Sequence, residues 1–203
     1  MSIVVWSLLL TAVAAAAADP TPPLQVVLYY ESLCPDCQAF VSGSFAEAVA
    51  RRARDPERHT GALGVRHRPR RTAPAAGRFS VSTAQAECRG NKLHACGVYL
   101  APSPAVSVDF SICLESQMAG EQCAQQTGLD WLSLTDCQLR RDTDQLMIPY
   151  RDMTDAARPE IVEVPTVSVD GRQEHQGQML DDFLGYVCSV WQGDTPDGCP
   201  PAR

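Results

Sequence analysis

Between Leu24 and Val49 a short apolar run, a Cys-x-x-Cys and a helical pattern follow one another without a gap, and few architectures accept that order. Leu24-Gln-Val-Val-Leu-Tyr-Tyr30 is rich in β-branched and aromatic residues and reads as a buried strand. Glu31-Ser32-Leu33 leads into Cys34-Pro35-Asp36-Cys37. From there Phe40, Val41, Phe45, Ala48 and Val49 recur at helical spacing. The two cysteines therefore occupy a tight strand-to-helix turn, with Cys34 at the start of the helix.

That position has chemical consequences. Unpaired N–H groups and the helix dipole favour a negative sulfur at Cys34. Pro35 suits the first turn, because its missing N–H was unpaired anyway. Asp36 is an anion beside the sulfur and opposes the effect. Disulfide exchange needs a thiolate that attacks and a second thiol that resolves the mixed disulfide. Cys34 fits the first role, and Cys37, one turn further in, the second. Two other readings stay open: a purely structural bridge in a secreted binding module, or half of a zinc site. Zinc would want a companion pair of ligands, and His59, His67, His94 and His175 are widely scattered.

The remainder of the chain divides in three. Residues 51–86 lose all periodicity and carry nine of the seventeen basic residues, so disorder is expected there. Cys96–Leu100, Val108–Met118, Cys123–Leu134 and Cys137–Leu146 read as helices tied by cysteines, a stapled insertion over about residues 88–150. Ile161 to Val169 then reads as an extended segment and strand. Asp170-Gly171 predicts a hairpin with a second strand behind it, and Leu180, Phe183, Leu184, Val187 and Val190 predict one amphipathic helix. Strand–helix, insertion, strand–hairpin–helix is an α/β, thioredoxin-like order. In that fold a cis-proline opens the later strand beside the redox pair, which makes Val164 and Pro165 the expected substrate-binding backbone.

Compartment is legible at the N-terminus. Ile3 to Ala18 is almost wholly apolar and ends in an alanine run, which predicts a signal peptide over residues 1–18 and a mature domain over 19–200. The run is shorter than the ~20 residues of a spanning helix, and no second one follows, so no membrane span is expected. Nine cysteines suit an oxidising compartment. A net charge of −7 argues against nucleic acid as a partner.

The chain resembles the gamma-interferon-inducible lysosomal thiol reductases. The resemblance rests on Tyr29-Tyr30-Glu31-Ser32-Leu33-Cys34-Pro35-Asp36-Cys37, on Glu87-Cys88-x-x-Asn91-x₄-Cys96, on the later cysteines and on Asp197-Gly198-Cys199-Pro200. It covers residues 24–50 and 87–200. It implies a reductase that opens disulfides in protein substrates, secreted or in the lysosomal lumen. Its electrons would come from a small thiol, with no metal or organic cofactor. Two family elements are missing. A Cys-Gln-His-Gly run is replaced by Val81-Ser82-Thr83-Ala84, and a strand after the first helix is replaced by the arginine-rich stretch, leaving a second core strand unaccounted for. Asn91 is the one asparagine and begins no glycosylation sequon, which favours plain secretion. Seven cysteines outside the redox pair cannot all pair within one chain. The resemblance makes Cys88 or Cys96 the expected orphan, its partner lost at position 81.

Overall fold

The computed structural model describes residues 24–52, 81–140, 143–192, 196 and 198–199. Strands β1 (Val26–Tyr29) and β2 (Thr166–Val169) pair antiparallel, with Val26 opposite Val169 and Tyr29 opposite Thr166. Because strand side chains alternate, Val26 and Leu28 enter the main core, while Tyr29 packs with Ala157 and Ile161 on the other face.

Helix α1 (Pro35–Phe40) follows β1 and runs through a π-helical turn at Val41–Phe45 into α2 (Ala46–Arg52). The helical spacing expected from Cys37 is confirmed, since Phe40, Val41, Phe45 and Ala48 are all buried. Phe40 and Phe45 meet Phe183 from the far end of the chain, with ring centroids 5.9 and 5.5 Å away. Each such burial contributes ~1.5–3 kcal/mol, and together they fix α1 against the sheet.

A helical layer follows: α3 (Val81–Leu100), α4 (Pro104–Glu115), α5 (Gly120–Thr127), α6 (Trp131–Leu139) and α7 (Thr143–Asp155). It has its own small core around Phe110, Ala124 and Leu134. Disulfides Cys96–Cys137 and Cys113–Cys123 staple α3 to α6 and α4 to α5. A third, Cys188–Cys199, ties the C-terminal tail to α9 (Phe183–Val190).

Several expectations need correction. The layer begins at Val81 and ends at Asp155, wider than residues 88–150. The failure of pattern predicted over 51–86 is wrong at both ends, since α2 reaches Arg52 and α3 starts at Val81; residues 53–80, like the signal peptide, lie outside the described residues. The helices break at Ser103, between two expected segments, but also inside two of them: Cys123–Leu134 is divided between α5 and α6 by the cap at Asp130, and Cys137–Leu146 between α6 and α7. Asp170 and Gly171 form the predicted turn, both with positive φ, yet the return is a single bridge from Val169 to Arg172. The Gln176 side chain explains why. Its amide accepts from Val167 N–H at 2.9 Å and donates to Val167 C=O at 2.6 Å, filling the edge a returning strand would take. The last helix is two, α8 (Gln176–Asp181) and α9, because the Asp182 carboxylate caps α9 by accepting from Gly185 N–H at 2.9 Å.

The orphan cysteine is Cys88, exposed and unpaired, while Cys96 is bridged. Positions 81 and 88 both lie in α3, two turns or ~10.5 Å apart along its axis. That exceeds the ~7 Å a disulfide spans between Cα atoms, so a cysteine restored at 81 would not close on Cys88 while α3 holds.

Candidate redox site

Cys34 is the N-cap of α1, in extended conformation, with Pro35 in the first turn. Its Sγ accepts from Cys37 N–H at 3.3 Å, and its thiol donates to the Val164 carbonyl at 3.8 Å. The Val164–Pro165 peptide is cis. Cys34 is thus brought to both Cys37 and Val164, with Pro165 next along the chain; Cys34 is half-buried, Cys37 fully buried, Val164 partly buried and Pro165 buried.

The two sulfurs are held in opposite states. The hydrogen bond from the Cys37 thiol, joined by the backbone N–H groups of Cys37 and Asp36, holds Cys34 below the usual thiol range, against burial and the Asp36 charge. The same hydrogen bond, with burial behind it, pushes the Cys37 thiol far above that range. One sulfur is biased toward the thiolate while its neighbour is held as the thiol, the asymmetry stepwise thiol exchange needs.

The loop before Cys34 is gripped by one face of α3. The Glu87 carboxylate accepts from the Ser32 hydroxyl at 2.7 Å and from Leu33 N–H at 3.0 Å, and Asn91 Oδ1 accepts from Ser32 N–H at 3.0 Å. Gly90 between them permits the approach, since a Cβ there would collide with the Ser32 side chain. Gln38 donates to Ser32 C=O at 2.9 Å and so closes the loop from the α1 side.

Deeper, Tyr30 Oη lies 2.9 Å from His94 Nδ1, and His94 Nε2 lies 3.1 Å from Glu115 Oε1. Burial pushes the His94 imidazole down to about 3. Burial, and then the Glu87 charge, push the Glu115 carboxyl up to about 9. The pair is thus a neutral imidazole beside a protonated carboxyl. Glu87 and Asn91 were visible in the sequence only as part of a motif, and His94 only as an isolated histidine. Their spacing of i, i+4 and i+7 puts them on one helix face, which was the available signal. Among the described residues no group of three or more His, Cys, Asp or Glu is placed to hold a metal ion. No described helix is long and apolar enough to cross a membrane.

A family model described as gamma interferon inducible lysosomal thiol reductase matches residues 25–127. The chain is 27% identical over 192 residues to a gamma-interferon-responsive lysosomal thiol protein of Arabidopsis thaliana, covering 93% of this chain and 79% of the relative. It is 26% identical over 201 residues to a gamma-interferon-inducible lysosomal thiol reductase-like protein of Anopheles gambiae, covering 90% and 83%. Among solved structures, reduced DsbA from Mycobacterium tuberculosis superposes with a TM-score of 0.56 at 17% identity, covering 93% of this chain and 90% of that one. At that identity the likeness concerns the fold, which is thioredoxin-like.

Proposed function

We propose, since this chain belongs to the gamma interferon inducible lysosomal thiol reductase family, that it reduces disulfides in protein substrates with Cys34 attacking and Cys37 resolving. Thiol oxidoreductase chemistry comes with the family; the direction, the residues and the place are our reading. The observation that carries it is the opposed pair of sulfurs, a half-exposed Cys34 held toward the thiolate beside a buried Cys37 held protonated.

In this reading the Cys34 thiolate attacks a substrate disulfide, forming a mixed disulfide and releasing one substrate thiolate. Cys37 then gives up its proton and attacks the Cys34 sulfur, forming the Cys34–Cys37 bond and releasing the second substrate thiol. A small thiol returns the pair to the dithiol. The backbone at Val164 and Pro165 receives the substrate strand, a role supported by the 3.8 Å separation of Cys34 Sγ and the Val164 carbonyl. The alanine-ended apolar leader supports a signal peptide over residues 1–18 and a single domain over 19–200, delivered to the endolysosomal lumen or secreted.

Insulin-disulfide reduction by the full mature chain tests the proposal. Cys34→Ser should fall to the uncatalysed rate, and Cys37→Ser should accumulate mixed disulfide. A Cys34→Ser protein with the wild-type rate would overturn it in favour of a structural bridge.

A further inference from the structure

The connection between α4 and α5, residues 116–119, is exposed yet firmly held. Ser116 N–H donates to Ile112 C=O at 3.0 Å, Gln117 N–H donates to Leu114 C=O at 3.0 Å, and the Cys113–Cys123 bridge clamps both ends. Within it Gln117 has a left-handed backbone, with φ at 61°. A residue with a Cβ enters that region at a cost that glycine escapes, so the position calls for a side chain. That side chain crosses to α1, where its Nε2 donates to Gln38 Oε1 at 3.2 Å. Gln38 lies one helical turn beyond Cys34 and on the same face. With its oxygen taken by Gln117, its nitrogen turns to the loop before Cys34 and donates to Ser32 C=O at 2.9 Å. An amide has one accepting and one donating end, so Gln117 selects the orientation in which Gln38 can hold Ser32. The contacts from α3 described above take the donors of that loop: Ser32 N–H, the Ser32 hydroxyl and Leu33 N–H. Ser32 is buried, its carbonyl needs a partner of its own, and Gln38 is that partner. The next link is direct, because Glu31 C=O accepts from Cys34 N–H at 3.2 Å.

We propose that Gln117 is a positioning residue for the redox pair: by fixing the amide of Gln38, it holds the loop that sets Cys34 at the start of α1. This rests on the reading of Cys34 and Cys37 given above. Gln117 touches neither sulfur in this role and acts through Gln38. Its loss leaves the Gln38 amide free to turn over and releases Ser32 C=O. Cys34 then drifts from the geometry in which its sulfur meets a substrate disulfide, and the chemical step slows. The left-handed backbone is what aims the side chain at α1, a strained conformation kept beside a functional site. The Cys113–Cys123 bridge gains a second task, since it steadies the loop from which Gln117 reaches across.

The test is single-turnover reduction of a self-quenched peptide disulfide by the reduced full mature chain, read by fluorescence, with a thermal melt of every variant. Gln117→Gly relaxes the backbone and removes the side chain. It should melt at or above the wild-type temperature. Its rate at saturating peptide should nonetheless fall about threefold to tenfold, the effect of one hydrogen bond of ordinary net strength, with the half-saturating concentration unchanged. Gln38→Ala should slow the reaction by at least that factor. The double variant should be no slower than Gln38→Ala alone, since Gln117 acts through Gln38. A wild-type rate in Gln117→Gly, or losses that add in the double variant, would overturn the proposal. So would a raised half-saturating concentration at an unchanged rate, the mark of a direct substrate contact. A loss of rate matched by a lowered melting temperature would overturn it too, as the mark of a structural brace. Cys34→Ser in the same assay separates this proposal from the reading beneath it. No turnover in that variant upholds Cys34 whatever Gln117 does, and turnover at the wild-type rate overturns both.

Discussion

In the α/β half of the molecule Cys34 and Cys37 stand unpaired at a helix start, whereas in the helical layer Cys96, Cys113, Cys123 and Cys137 are consumed in two bridges. The α/β half, whose Cys188–Cys199 bridge ties only the tail to α9, can leave Cys34 and Cys37 free because β1, β2, α1 and α9 bury a continuous apolar core, with Phe40, Phe45 and Phe183 at its centre. The helical layer has only a small core of its own and is fastened covalently. A cysteine's chemistry here follows from what surrounds it. Exposed N–H groups at a helix start make a reactive thiol, and closely packed helices make a staple.

The first way to test that contrast is to remove a staple. Replacing Cys96 and Cys137 with serine should cost ~2–5 kcal/mol of stability, while the activity of each folded molecule stays near wild type. Urea melts paired with insulin reduction would check this, and equal loss of both properties would mean that the two regions are not separable.

A smaller effect belongs to the seam. Glu87→Ala removes the acceptor for the Ser32 hydroxyl and for Leu33 N–H. Leaving those donors unpaired should cost ~1–3 kcal/mol and should slow turnover by loosening the loop before Cys34. Glu87→Gln should recover part of the rate; equal rates in all three proteins would show that α3 does not position the loop.

The gentlest probe is pH. In the fold His94 and Glu115 hold one proton between them from about 3 to about 9. Unfolded, glutamate titrates near ~4.3 and histidine near ~6.5, so between those values the unfolded pair also holds one proton and its contribution is level. Above ~6.5 the unfolded pair holds none while the fold keeps one, so stability falls as pH rises, with a slope approaching ~1.4 kcal/mol per pH unit. Below ~4.3 the unfolded pair holds two, and stability falls as pH drops. Urea melts from pH 4 to pH 9 should show the alkaline fall in wild type and lose it in Glu115→Gln. A wild-type curve level from pH 6.5 to pH 9 would contradict the buried neutral pair.

The α/β half was open to reading because its signals are local. An apolar run, a Cys-x-x-Cys and a helical spacing adjoin in sequence, and Val164-Pro165 opens a strand of its own. The seam was not, because its information is non-local. Ser32 meets Glu87 fifty-five residues later, and Tyr30 meets His94 sixty-four residues later. A polar stripe on a helix ordinarily faces solvent, and nothing in α3 alone distinguishes one that faces a buried loop. The hairpin was misjudged for a related reason. The Asp170-Gly171 turn is encoded locally, but the strand after it is displaced by the side chain of Gln176.

The account stands on the opposed states of Cys34 and Cys37. The most direct measurement is alkylation of the fully reduced protein by iodoacetamide across pH 4 to pH 10, with the modified cysteines identified by peptide mapping. Cys34 should react with an apparent pKa below the ordinary thiol value of about 8.5, and Cys37 should remain unmodified throughout while the protein stays folded. Cys37 reacting first, or Cys34 titrating at or above the ordinary value, would contradict it.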